Sequence, residues 1–204
     1  MDNLYLAVIH DIKNQLAELA LRLERRGDCA CEIGITLSAA RRLTQLLLAQ
    51  RWQNGQLQGS IDSHCPIDLM EELAAEYRVL FPQLDISVDA DCSPSYWFYE
   101  DALMRLALSN ALHNACRSAA GKVGLQAAEE EGWLVLSVSD DGPGFPPDIL
   151  ASQASPEPMP VSRSGTGLGL FLAEEIAGLH RNQDRVGRVE LANQNGAVFC
   201  IRIP

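Results

Sequence analysis

Two glycine-rich clusters are the first parts of the sequence whose residue types could do chemistry. Residues 140–145 read Asp-Asp-Gly-Pro-Gly-Phe after a strand-like run, and residues 165–170 read Gly-Thr-Gly-Leu-Gly-Leu at the start of a helical run. Glycines at a helix start let backbone N–H groups approach a phosphate, and the helix dipole favours that negative charge. The proline- and serine-containing loop before the second cluster argues against a dinucleotide-binding fingerprint, and the absent Gly-Lys-Ser/Thr excludes a Walker loop. Either cluster alone is better explained as a turn.

Three polar residues upstream of the glycine clusters favour a binding site over simple turns. Asn110 and Asn114 are four residues apart in a helical run, and Arg117 follows three residues later, so all three share one helix face. Amide oxygens can bind Mg²⁺ without adding charge beside a triphosphate, and an arginine can pair with phosphate oxygens. Asparagine inside a helix costs some helix propensity, so a merely solvated face explains the pair poorly. Together with the glycine clusters, these residues predict a triphosphate site.

Composition excludes several classes of protein. The 204 residues are 47% hydrophobic and 21% charged, as in a folded domain, and the net charge of −11 argues against nucleic-acid binding. The six cysteines are scattered, which favours neither a zinc site nor a disulfide framework. No apolar run is long enough for a membrane span, and the N-terminus is too polar for a signal peptide. We therefore expect a soluble, cytoplasmic protein.

The positioning elements fall into two segments of different charge. Residues 1–60 hold six acidic and seven basic residues, whereas residues 61–204 hold 21 acidic and nine basic residues. Apolar residues at spacings of three and four predict helices over 3–26 and 32–54, joined as an antiparallel hairpin. The hairpin cannot enclose its own apolar faces, so we expect a homodimeric four-helix bundle, with docking onto the acidic domain as the alternative.

The second segment has the pattern of a mixed α/β domain. Residues 55–65 read as a polar connector, and helices are expected from Pro66 to about Phe81, over 99–118 and up to about His180. Strands are expected in 84–89, 122–130 and 132–140, and two closing strands flank the turn Gln194-Asn195-Gly196. This order predicts a layer of helices on a mostly antiparallel sheet.

The motifs resemble a known family. The run Asn-Ala-Leu-His-Asn-Ala-Cys-Arg at 110–117 and the two glycine clusters resemble, in order and spacing, the N, G1 and G2 boxes of two-component histidine kinases. The resemblance covers residues 66–204 and implies a catalytic ATP-binding domain with the GHKL-type α/β sandwich. The implied fold class is α+β: a dimerisation and phosphotransfer hairpin at 1–56, then this sandwich at 66–204. ATP and Mg²⁺ are the implied cofactors.

The same resemblance gives roles to individual residues. By this likeness Asp140 accepts a hydrogen bond from the adenine amino group, Asn114 binds Mg²⁺, and Asn110 and Arg117 lie near the phosphates. The remaining nucleotide-binding residues belong to the two glycine clusters, the second of which would form the lid hinge and phosphate cradle: Gly142, Gly144, Gly165, Thr166, Gly167, Leu168 and Gly169.

The N-terminal run His-Asp-Ile-Lys-Asn-Gln-Leu at 10–16 resembles the H-box of the same family, whose histidine accepts the γ-phosphoryl group. At about 100° per residue, His10 lies roughly opposite Val8 and Ile12 and is expected to face solvent. An exposed helical histidine is usually only a surface residue, and the ATP-binding domain is what gives this one a function. By this resemblance His10 is the phosphoacceptor and Asp11 the adjacent general base. Asn14 positions water for dephosphorylating the regulator, and Lys13 is a further catalytic residue of the box.

Two features depart from the family pattern. Gln15 stands where the H-box usually has proline, and residues 146–164 contain no phenylalanine, so no F-box is recognisable and the lid is short. The expected function is a soluble histidine kinase that autophosphorylates His10 from MgATP and serves the receiver domain of a separate response regulator. Because no sensor segment is visible, a separate sensor protein is a further expected partner. The alternatives are a histidine phosphotransfer protein that does not use ATP and, less compatible with the hairpin, a Ser/Thr kinase of the anti-sigma type.

Overall fold

The structure, a computed structural model, describes residues 60–152 and 168–204 continuously, with seven residues nearer the N-terminus: 12, 15, 16, 19, 36, 39 and 43. The chain divides into two compact units, Met1–Gln58 and Gly59–Pro204. All seven described residues of the first unit are helical. The rest of the expected hairpin, and with it the dimeric bundle, lies outside the described residues. No described helix is long and apolar enough to cross a membrane.

The second unit alternates helices and strands. Its helices are α1 (Pro66–Leu80), α2 (Asp101–Ser118), α3 (Pro147–Ser152) and α4 (Leu168–Leu179). Its strands are β1 (Asp62–His64), β2 (Asp85–Asp89), β3 (Trp97–Tyr99), β4 (Lys122–Glu130), β5 (Trp133–Asp140), β6 (Arg181–Asn182), β7 (Arg185–Val186), β8 (Arg188–Asn193) and β9 (Ala197–Ile203). The predicted helices and strands of 66–204 are confirmed to within a few residues at each end.

A five-stranded sheet with the order β2-β4-β5-β9-β8 forms one layer of the domain. Only β2 and β4 pair in parallel, and the other neighbours are antiparallel, so the expectation of a mostly antiparallel sheet is confirmed. Strand β9 alternates buried and half-buried residues along its whole length, which is the pattern of a strand with one face in the core.

Helices α1, α2 and α4 cover the buried face of this sheet. Apolar side chains of both layers meet in a core that includes the fully buried Leu73, Met104, Leu108, Leu125, Leu136 and Ile201. Burying one such side chain is worth about 1.5–3 kcal/mol relative to leaving it in water. The core therefore fixes the position of α2, which carries the predicted asparagines.

Several short elements were not predicted. The connector expected over 55–65 contains β1, which pairs antiparallel with β3, and β6 pairs with β7. Helix α3 lies where the sequence predicted only a glycine- and proline-rich loop. Segments of two to six residues are too short to show a hydrophobic period, and they depend on a tertiary partner instead.

His180 joins the two helices that carry the predicted site residues. It is 2% exposed, and its Nε2 accepts a hydrogen bond from the backbone N–H of Glu100, just before α2, at 3.1 Å. Its Nδ1–H donates to the carbonyl oxygen of Ile176 in α4 at 2.9 Å. This pattern requires the neutral imidazole. Burial lowers the pKa of His180 below its ordinary 6.5, and the interactions with the backbone of Ile176 and Ala177 and with the Glu100 carboxylate only partly oppose that shift.

The free energy of unfolding is expected to fall as the pH drops below about 6.5 because of His180. The imidazole of the unfolded chain takes up a proton near that pH, whereas the folded one does so only at lower pH. His180→Gln keeps an oxygen that can accept from Glu100 and has no titratable group. Urea unfolding between about pH 5 and pH 7.5 should therefore show a weaker pH dependence in this variant than in the wild type. A pH dependence in His180→Gln equal to that of the wild type would contradict the assignment.

Candidate functional site

Helix α2 carries the predicted asparagines and arginine along one face. Asn110 is half-buried, whereas Asn114 and Arg117 are exposed. The spacing of four and three residues expected from the sequence therefore holds on a continuous helix over 101–118. Two of the three side chains are open to a ligand from solvent.

The last glycine of the second cluster lies directly against this helix. A Cβ atom added at Gly169 would fall 1.9 Å from Nδ2 of Asn110, a distance that no side chain could tolerate without displacing the amide. Gly169 is in the first turn of α4. Only glycine lets the start of α4 approach Asn110 this closely.

The first glycine cluster contacts the C-terminal end of α2. A Cβ at Gly142 would lie 2.3 Å from the carbonyl oxygen of Ser118, the last residue of α2. Gly144 has φ of 82°, which favours glycine. Helix α2 thus touches both glycine clusters, one near its middle and one at its C-terminal end.

Asp140 is a buried acid at the end of β5, with 9% exposure. Its Oδ1 accepts the backbone N–H of Gly142 at 2.8 Å and that of Ala197 at 3.5 Å. Within the described residues no donor reaches its Oδ2. Gly196 packs on the backbone here, because a Cβ at that residue would lie 1.8 Å from the Asp140 carbonyl oxygen. The fold therefore fixes one carboxylate oxygen, whereas the other has no donor among the described residues.

Its neighbour Asp141 has a structural role, which the sequence did not indicate. Its Oδ1 accepts three backbone N–H groups, from Ala120, Gly121 and Lys122, at 2.8, 3.0 and 3.0 Å. These hydrogen bonds lower the pKa of the Asp141 carboxyl below its ordinary value of 3.8. Asp141 thus holds the connection between α2 and β4 through its Oδ1.

Asn193, at the end of β8, also borders the site and was not predicted. Its Oδ1 accepts the backbone N–H of Phe145 at 2.8 Å, and its Nδ2 donates to the Phe145 carbonyl oxygen at 3.0 Å. A Cβ at Gly144 would lie 2.8 Å from this amide. The only sequence signal was its place at a strand end, before the predicted turn.

Some predicted site residues lie outside the described residues. They are those of the N-terminal box and the first three residues of the second glycine cluster: His10, Asp11, Lys13, Asn14, Gly165, Thr166 and Gly167. Leu168 is described as the first residue of α4. The roles assigned to these residues remain predictions.

A protein-family model matches the chain over residues 99–204, and its description is "Histidine kinase-, DNA gyrase B-, and HSP90-like ATPase". The match runs from the end of β3 to the end of the chain. It includes α2, both glycine clusters and Asn193.

Sensor histidine kinases are similar to the chain over a longer range. PrrB of Mycobacterium tuberculosis, a sensor-type histidine kinase, is 32% identical over 182 residues, which are 84% of this chain and 37% of PrrB. RppB of Synechocystis sp., a sensor histidine kinase, is 30% identical over 193 residues, covering 89% of this chain and 39% of RppB. The solved ATP-binding domain of PrrB from Mycobacterium tuberculosis has a TM-score of 0.54 at 24% identity, covering 71% of this chain and 96% of that domain. The chain spans less than two fifths of the length of these two relatives.

Proposed function

Because this chain belongs to the family of histidine kinase-, DNA gyrase B-, and HSP90-like ATPases, we propose that it is the core of a two-component histidine kinase. It binds MgATP, phosphorylates His10 and passes the phosphoryl group to an aspartate in the receiver domain of a response regulator. The observation that carries this proposal is the contact of α2 with both glycine clusters, at Gly169 and Gly142. The similarity to PrrB and RppB supports the reaction type.

The described residues fit an adenine nucleotide. Asp140 keeps Oδ2 open beside the loop, and this oxygen would accept the adenine amino group. Asn110 and Arg117 would bind the phosphate side, and Gly169 would let the backbone at the start of α4 lie close to Asn110, so that its N–H groups could face the phosphates. Gly142 and Gly144 would line the base side, and the remaining lid residues are Gly165, Thr166, Gly167 and Leu168.

Asn114 would hold the magnesium ion that accompanies the triphosphate. Its amide oxygen is a hard donor of the kind Mg²⁺ prefers, and the side chain is exposed. The described part of the chain contains no group of three or more His, Cys, Asp or Glu side chains that could hold a metal ion alone. Such a site would take up Mg²⁺ together with phosphate oxygens, and the ion would neutralise charge on them.

The N-terminal box would supply the acceptor of the phosphoryl group. A neutral imidazole nitrogen of His10 attacks the γ-phosphorus, the bond to the bridging oxygen breaks, and ADP leaves. Asp11 accepts the imidazole proton and orients the ring. Lys13 belongs to the same box, and Asn14, one helical turn from His10, would position water when the regulator is dephosphorylated.

The proposed partners follow from this reaction. A homodimer would bury the apolar stripe of the first unit, on which Ile12 and Leu19 are 41% and 45% exposed in the single chain. The receiver domain of a response regulator takes the phosphoryl group. We place the protein in the cytoplasm, because ATP is available there and the four cysteines of the described residues are all free thiols: Cys65, Cys92, Cys116 and Cys200.

Incubation of the full chain with γ-labelled ATP and Mg²⁺ tests this function. The protein should acquire label that survives alkali and is lost in acid, as expected of a phosphoramidate, and should lose it to a receiver domain. Label that came only from a phosphorylated receiver, in a chain that binds ATP, would instead identify a histidine phosphotransfer protein. An acid-stable label would exclude both.

A further inference from the structure

The glycine loop at 141–145 is held at two points of the fold. At its start, Asp140 accepts the N–H of Gly142, and Asp141 accepts three N–H groups of residues 120–122. At its end, the Asn193 amide binds both the N–H and the carbonyl oxygen of Phe145, 48 residues away in the chain. The Gly-Pro-Gly tripeptide lies between these two attachments.

The second attachment depends on a single side chain. The Asn193 amide replaces the pair of backbone hydrogen bonds that a neighbouring strand would offer to Phe145. Gly144 lies directly against the same amide, since a Cβ there would be 2.8 Å from its Cγ, Nδ2 and Oδ1. The two glycines of the tripeptide are conformationally permissive, so the loop would sample many backbone states if Phe145 were released.

We propose that Asn193 is a positioning residue for the nucleotide site, acting through Phe145 to keep the glycine loop in the conformation that binds the adenine side of ATP. This inference rests on the proposed function. Asn193 touches the loop backbone and is not itself assigned a contact with the nucleotide. It holds the loop so that the Gly142 N–H stays on Oδ1 of Asp140 and Oδ2 remains open.

The effect of Asn193 should fall on binding more than on folding. Asn193 is exposed and lies at the end of an edge strand, so its loss removes no core packing. A loop that is ordered before the ligand arrives does not have to be ordered by the ligand, which raises affinity. If Phe145 is released, part of the free energy of nucleotide binding is needed to order the loop, and the affinity falls.

Calorimetry with a non-hydrolysable ATP analogue and Mg²⁺ on the full chain tests the proposal. Asn193→Ala should weaken binding about fivefold, the equivalent of one ordinary hydrogen bond, and the amide of Phe145 should exchange faster with solvent. Asn193→Asp keeps the acceptor for the Phe145 N–H and loses the donor, so its affinity should be intermediate. The matched control is Gln194→Ala, the exposed neighbour, which should bind as the wild type does.

The outcomes are distinguishable. A wild type that binds no analogue removes the proposed function together with this inference. If the wild type binds the analogue and Asn193→Ala binds it with the same affinity, only the positioning role is overturned. Both affinities are measured far below the melting temperature of the variant, so a lower melting temperature does not change this conclusion. Unchanged exchange of the Phe145 amide also overturns it. If the alanine variant does not fold, the intermediate affinity of Asn193→Asp decides the question.

Discussion

His10→Gln should abolish the incorporation of phosphate from ATP and leave the affinity for a non-hydrolysable ATP analogue unchanged. Glutamine has no nitrogen that can act as a nucleophile toward phosphorus, so no phosphoramidate forms. His10 belongs to the unit Met1–Gln58, whereas the proposed nucleotide residues belong to Gly59–Pro204. Labelling with γ-labelled ATP and calorimetry on the same preparation measure the two properties separately.

Two further variants sharpen this test. Asp11→Asn should slow labelling by roughly 10²–10⁴-fold, the usual contribution of a general base, without changing the affinity for the nucleotide. His64→Gln removes a histidine from β1 and should label at the wild-type rate. If His10→Gln were labelled at a rate near that of the wild type, another residue would be the acceptor of the phosphoryl group.

Asp140→Asn should weaken the binding of ATP and of ADP alike by roughly 1–3 kcal/mol, about five- to 150-fold in the dissociation constant. The asparagine oxygen can still accept the N–H groups of Gly142 and Ala197, so the loop is retained. The amide nitrogen then stands where Oδ2 was and presents a donor to the adenine amino group, which is itself a donor. Calorimetry with each nucleotide measures the loss.

Asp141 provides a control for the loss of one negative charge. Asp141→Asn removes the same charge and keeps an oxygen for the N–H groups of Ala120, Gly121 and Lys122, so nucleotide affinity should stay within about twofold of the wild type. Inosine triphosphate carries a carbonyl oxygen in place of the amino group. Asp140→Asn should therefore narrow the preference for ATP over inosine triphosphate, and equal losses with both nucleotides would remove Asp140 from the base contact.

Long periodic segments could be predicted from the sequence, because burial on one face leaves a readable pattern. Helix α1 buries Leu69, Met70, Leu73 and Ala74 at helical spacing, and β9 alternates at spacing two. The pairing of β2 with β4 in parallel has no such signal, since a strand sequence does not specify its neighbour. The short strands β1 and β3 depend on each other and leave no period to read.

The candidate site was predictable to the extent that its residues act locally. Asn110, Asn114 and Arg117 share a helix face by spacing alone, and the two glycine clusters are visible as runs. The distinction between Asp140 and Asp141 was not predictable, because it depends on which backbone N–H groups face each carboxylate. Asn193 was missed for the same reason: its partner is the backbone of Phe145, on a distant segment.

The place of β9 in the sheet also has a consequence for biosynthesis. Strand β5 pairs with β9, yet Ala197 is synthesised 57 residues after Asp140. At about 5–20 residues per second, a ribosome needs roughly 3–11 seconds to cover that distance. During this time one edge of an apolar strand has no partner, which is the condition under which nascent chains associate with one another. Translation speed between residues 140 and 197 should therefore govern how much of the newly made protein reaches the folded state.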